Sequence, residues 1–233
     1  MTTKTSITQR IEAQLDAAAA ARDVLAGKAD AAARREALRV WQAARLARTH
    51  EDLLKSPRYG GTAAFFLTDI YGPKDLSRHE KAVRRIMPLM LAVLPVAGLE
   101  TVADAFELNA LSESLDAALL VALGDKVFQM TDADYSAAYR AVDRYSDRER
   151  QIELILQLGR SLDRLTKKPL IGTTLTMMRG PAAAAGLLDL QEFLERGYTA
   201  FKKMKGAEEF LGKIVSRERA LLEETFADAR DGS

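Results

Sequence analysis

Two histidines, His50 and His79, are the only imidazoles in this chain, and there is no cysteine at all. Thiolate metal sites, cysteine nucleophiles and disulfides are thereby excluded. A zinc-protease motif needs a second histidine four residues after the first. His50-Glu51 leads to Leu54 and His79-Glu80 leads to Val83, neither of which binds a metal. Neither histidine follows a glutamate by three, so the paired Glu-x-x-His motif of a di-iron bundle is also missing. No G-x-S-x-G elbow, phosphate-binding loop or G-x-G-x-x-G fingerprint occurs; Gly180-Pro181-Ala182 opens a glycine- and alanine-rich stretch with no lysine after it. We therefore expect no metal, no cofactor and no catalytic residues, and we lean against an enzyme.

Two other groups of residues could do chemistry. Arg34, Arg35, Arg39, Arg45 and Arg48 crowd one stretch. Their simplest reading is a solvated helix face; one or two could instead turn inward to grip a carboxylate. The chain carries a net charge of only +1, with one tryptophan, which speaks against a nucleic-acid partner. The second group is Phe65-Phe66-Leu67-Thr68-Asp69-Ile70-Tyr71-Gly72. At helical spacing its apolar side chains project in nearly every direction, so it should be buried on most sides. Asp69 then needs a partner, with Arg78, Arg84 and Arg85 in reach along the sequence.

The stretch FFLTDIYGPKDLSRHE resembles the signature of the bacterial proteins named after an FFLEELY motif, matching at Phe65, Phe66, Leu67 and Tyr71. Thr68, Asp69 and Ile70 depart from the namesake letters. DRERQIELILQLGRSLD and LQEFLERGYTAFKKM are also similar to that family, so the likeness spans most of the chain. The resemblance implies a bacterial source and an all-helical fold, and no activity.

The elements that must position these residues read as helices throughout. Of the 233 residues 48% are hydrophobic, and about a third of those are alanine. Steps of three and four place Ile7, Ile11, Leu15, Ala18 and Leu25 on one face of a first helix, with Gly27 at a left-handed C-cap. Asp30 caps a second helix to about Leu54, and Thr62 caps a short one. Ser77 with Glu80, and Ser146 with Glu149, read as capping boxes. Pro88 should kink or end a helix. Helices are expected from about Gly98 to Leu123, from Thr131 to about Tyr145, and on to a break at Lys168-Pro169. A short apolar segment follows; Gly180-Pro181 then opens a helix that Gly206 ends, and a last one runs from about Ala207 to Ala227. No alternating strand pattern appears. The expectation is an all-α, single-domain bundle of about eight to ten helices over residues 1–229, with 230–233 a frayed tail.

The longest apolar run, Ile86 to Leu99, is shorter than the roughly 20 residues that span a bilayer and holds two prolines, so no transmembrane segment is expected. With no export signal, the default address is cytoplasmic. The net charge hides a basic front and an acidic back: residues 1–100 carry +5 and the remainder −4.

Two functions compete. The first is a binding protein for a fatty acid or similar apolar carboxylate, with Phe65, Phe66, Ile70 and Tyr71 as pocket wall. Arg84 or Arg85, and after them Arg78, would anchor the head group, and Met87, Met90, Met177 and Met178 would supply adaptable apolar surface. The alternative is a non-catalytic interaction module that docks on a protein partner or forms a homo-oligomer.

Overall fold

In the computed structural model, the described residues are 3–67, 84, 87, 88, 90–92, 94–184, 186 and 188–227. They form α1 (Lys4–Asp23), α2 (Ala31–Thr49), α3 (Glu51–Lys55), α4 (Gly60–Phe65), α5 (Val96–Leu123), α6 (Asp132–Val142), α7 (Tyr145–Thr166), α8 (Pro169–Ala184), α9 (Leu188–Met204) and α10 (Glu208–Ala227). A 3-10 helix, Gly124–Gln129, joins α5 to α6. No strand occurs among the described residues. The fold is an all-α, multi-helix single domain.

α5 is the central element. α1 lies along it, and α2, α6 and α7 also pack on it. The apolar stripe of α1 (Ile7, Ile11, Leu15) meets Leu99 and Ala103 of α5 in one core. Leu38 of α2 meets Leu119, Leu120 and Leu123 in a second. The largest core gathers Leu53, Phe65 and Phe66 with Leu154 and Ile155 of α7, Phe201 of α9, and Phe210 and Leu211 of α10.

Several local expectations meet a different outcome. α1 begins at Lys4, two residues before the expected Ser6, because Thr3 and Ser6 form a reciprocal capping box. It ends at Asp23, and Gly27 is not among the residues with positive φ. Asp30 precedes α2 without capping it, since its carboxylate takes the Nε–H of Arg34 at 2.8 Å. Thr62 lies inside α4 and donates its hydroxyl to the carbonyl of Ala200 at 3.0 Å. Ser146 lies inside α7, and Arg144 stands at its N-terminus without a side-chain cap. Pro88 sits in helical backbone. Thr131 and Asp134 do form a capping box, and Gly206, at φ 121°, closes α9 as expected. The expected box at Ser77 and Glu80 and the tail 230–233 lie outside the described residues.

The largest departure is α8. The apolar segment and the helix start expected at Gly180-Pro181 are one helix with Pro181 inside it. Pro181 withdraws the amide that would bond the carbonyl of Met177. The cost is small where water can serve that carbonyl, and Met177 is 74% exposed.

Candidate functional site

Arg34, Arg39 and Arg45 of α2 face the protein, while Arg48 is exposed and pairs with Asp132. Arg34 is buried and pairs with Asp30 and Asp125. Arg39 reaches Glu113 of α5 at 2.6 Å, and Arg45 reaches Glu218 of α10 at 2.9 Å. The helix expected as a solvated face is therefore tied into the bundle by ion pairs. The apolar residues Leu38 and Trp41 share a face with Arg45 by helical spacing, which carries its guanidinium inward.

Behind Arg45 the bundle lines a partly open cavity of about 120 Å³. α2, α3, α4, α5, α6, α7 and α10 all contribute to its wall. One side is apolar, with Leu46, Leu53, Ala63, Phe66, Ile152, Ile155, Phe210 and Ile214. The other is polar, with Gln42, Arg45, His50, Asp116, Tyr139, Arg148, Gln151 and Glu218. Gly60 lets the short α4 enter this wall: a Cβ there would stand 2.6 Å from the carbonyl oxygen of Leu54. The chain then continues into a π turn at Phe66 and Leu67, both of which line the cavity.

The polar wall splits into two parts. In the first, Glu218 is held twice. Arg45 donates to its Oε2, and His50 Nε2 stands 2.9 Å from its Oε1. Burial alone would raise the Glu218 carboxyl, but the His50 hydrogen bond and the Arg45 charge hold it below its ordinary value of 4.5. An ionised carboxylate only accepts, so Nε2 of His50 carries the proton facing it.

The second part centres on Arg148, which is 6% exposed. Its Nη1 donates to Gln151 Oε1 at 3.3 Å, and its guanidinium lies 4.3 Å from the centre of the Tyr139 ring. Nη2 is buried without a hydrogen-bond partner. Among the described residues no carboxylate comes within the 4.0 Å of an ion pair. Asp116 feels its charge from further off and accepts from Gln42 at 2.9 Å. Burial raises the Asp116 carboxyl above its ordinary value, against the pull of Gln42, Arg148 and Arg39. Burial likewise pushes the Tyr139 hydroxyl up to about 12, so Tyr139 is a neutral phenol at pH 7. The cavity thus holds one cation whose charge nothing in the wall balances at contact distance. Such an arrangement suits a small anion.

The sequence-predicted residues distribute unevenly around this site. Phe66 lines the cavity. Phe65 belongs to the same core, its ring 5.3 Å from Phe193 and 6.4 Å from Phe66, and is not part of the wall. Arg84 is 45% exposed and bonds Asp16 of α1 at 2.6 Å. Ile70, Tyr71, Arg78 and Arg85 lie outside the described residues, as does Asp69. Arg45, Asp116, Arg148 and Glu218 were not singled out as site residues from the sequence. Arg148 left one signal: it shares a helical face with Ile152 and Ile155, so an apolar stripe carries it into the core.

The fold and cavity define a helical bundle with a polar-and-apolar internal pocket. Residues 21–232 match the family model described as "Domain of unknown function (DUF8198)", and the chain belongs to that family. No curated protein and no solved structure matches the chain. Among the described residues no helix is long and apolar enough to cross a membrane.

Proposed function

We propose that the chain is a binding protein that holds an apolar carboxylate, of the fatty-acid type or smaller, in the cavity beside Arg148. The observation that carries this reading is the buried Arg148 guanidinium, with a free Nη2 and no carboxylate at contact distance. A buried charge without a partner is costly, and a ligand carboxylate would supply one in bidentate geometry. The opposite wall of Leu53, Phe66, Ile155 and Phe210 would take the apolar body. Arg148 replaces Arg84 as the preferred anchor, because Arg84 is exposed and already engaged by Asp16. Membership of the FFLEELY-motif proteins and a bacterial source belong to the same proposal, supported by Phe65, Phe66, Leu67 and Tyr71.

The test is a titration of wild type and Arg148→Gln with a carboxylate and its methyl ester, read by protein NMR. Wild type should prefer the acid by about tenfold or more, the value of a charge-assisted hydrogen bond. Arg148→Gln should lose that preference while still binding the ester. Equal losses for both ligands would make the arginine structural and sink the reading.

One observation favours a second reading, self-association. α8 carries one charged residue, Arg179, in its sixteen positions, yet Ala182 is its only buried residue, and Leu170 and Met177 are both 74% exposed. Light scattering decides it: a dimer that Leu170→Glu with Met177→Glu returns to monomer supports the interface, and a wild-type monomer at high concentration removes it.

A further inference from the structure

The geometry points to a compact aromatic monocarboxylate, of phenylacetate size, as the ligand class, its ring among Leu53, Phe66, Ile155 and Phe210 and its carboxylate on Arg148. This inference rests on the reading of the cavity as a carboxylate site and narrows it in three respects: size, shape and charge.

Size comes first. The cavity measures about 120 Å³. An engineered apolar cavity of about 150 Å³ binds benzene, while drug-sized ligands occupy about 300–1,000 Å³. The space therefore suits one ring and its head group. The later carbons of a long acyl chain would either run out of the cavity mouth, where they gain no burial, or displace fully buried side chains such as Leu53 and Phe210, which are 1% and 0% exposed. Interiors packed to crystal density resist such displacement.

Shape follows from the wall. Phe66 and Phe210 approach each other at 5.9 Å between ring centres, at an interplanar angle of 53°. Across the cavity wall, Tyr135 and Tyr139 lie 5.5 Å apart at 44°. Tilted rings of this kind present both faces and edges, and an aromatic guest gains from each through its quadrupole. A flexible chain gains only from area.

Charge sets the number of carboxylates. Glu218 is already paired with Arg45 and hydrogen-bonded by His50. Of the two arginines in the wall, Arg45 pairs with Glu218, whereas Arg148 has no carboxylate at contact distance, which leaves a place for one ligand carboxylate. A second carboxylate on the ligand would meet Asp116 or Glu218 in the same cavity, where like charges repel.

The experiment is calorimetric titration of the full chain with phenylacetate and with straight-chain carboxylates from butanoate to dodecanoate. Affinity in the straight-chain series should rise about fourfold per methylene up to about six carbons and then stop rising, since each buried methylene is worth about 0.8 kcal/mol and later ones find no space. Phenylacetate should bind at least tenfold more tightly than octanoate, its match in carbon number. A series that keeps climbing to dodecanoate, or octanoate equal to phenylacetate, overturns the compact aromatic class and leaves the carboxylate reading standing. Absence of binding by every member at millimolar concentration overturns both.

Discussion

Gly159 of α7 packs against Leu211 of α10, and replacing it by alanine tests that packing. A Cβ at this position would lie 2.4 Å and 2.8 Å from the two Cδ atoms of Leu211 and 3.1 Å from its Cγ. Ordinary carbon contacts lie near 3.5–4.0 Å. Leu211 is fully buried in the core that holds Leu154, Ile155 and Phe210, so it has no free space to swing into. Helix propensity alone favours alanine over glycine by about 0.8–1.0 kcal/mol. Overpacking of a filled core costs about 1–3 kcal/mol. The net expectation for Gly159→Ala is destabilisation by up to about 2 kcal/mol. Urea unfolding measures it as a lower midpoint at constant slope. The decisive control is Leu211→Ala, which itself costs about 2–5 kcal/mol. In that background the clash is gone, and Gly159→Ala should stabilise by up to about 1 kcal/mol. The sign reversal is the signature. If Gly159→Ala stabilises the wild-type chain, α7 and α10 are not in the contact described, and the reasoning fails.

Two further predictions concern the carboxylates of the cavity. Asp116 has a folded pKa raised by burial, so its ionised form opposes folding at neutral pH, and the protein gains stability as pH falls through that raised value toward 3.8. Asp116→Asn should therefore raise Tm at pH 7, with the gain shrinking as pH approaches 4; a lower Tm at pH 7 would contradict this. Glu218 has the opposite sign: its folded pKa is depressed, so its contribution is complete above 4.5 and is lost as pH falls through the folded value. Glu218→Gln should cost about 2–3 kcal/mol at pH 7, somewhat less than the loss of a fully buried pair because Arg45 and Glu218 keep 23% and 15% of their side chains exposed. The variant should also unfold less steeply than wild type below pH 4.5, and an unchanged acid limb would show that Glu218 is not the group responsible.

The helical architecture was legible because it depends on local signals. The capping box at Thr131, the left-handed Gly206 and the apolar stripe of α1 each act within a few residues. The same holds for α5, whose expected start at Gly98 falls two residues inside the observed one. α8 was misread because Gly180-Pro181 is a strong breaker by type, whereas its exposure lets water replace the lost hydrogen bond. The cavity was less legible still. Its polar wall is built from pairs far apart in the chain, Arg45 with Glu218 across 173 positions and Gln42 with Asp116 across 74. No local spacing announces such pairs. Phe66 was found because aromatic density is a local property, and Arg148 was missed because a charged residue on an apolar stripe is ordinarily read as an exception. The arginines of α2 show the same limit: their number was evident, while the acids that turn them inward sit on α5, the 3-10 helix and α10.

The central claim is that Arg148 is kept in the interior for a ligand and at the expense of stability. Calorimetric unfolding of Arg148→Met, paired with a phenylacetate titration of the same variant, tests it most directly. Methionine fills similar volume without a charge, and replacing a buried unpaired ion by an apolar side chain is neutral to stabilising. The ligand-free variant should melt at or above the wild-type temperature while carboxylate binding is lost. A variant that melts well below wild type and binds carboxylate undiminished would contradict it.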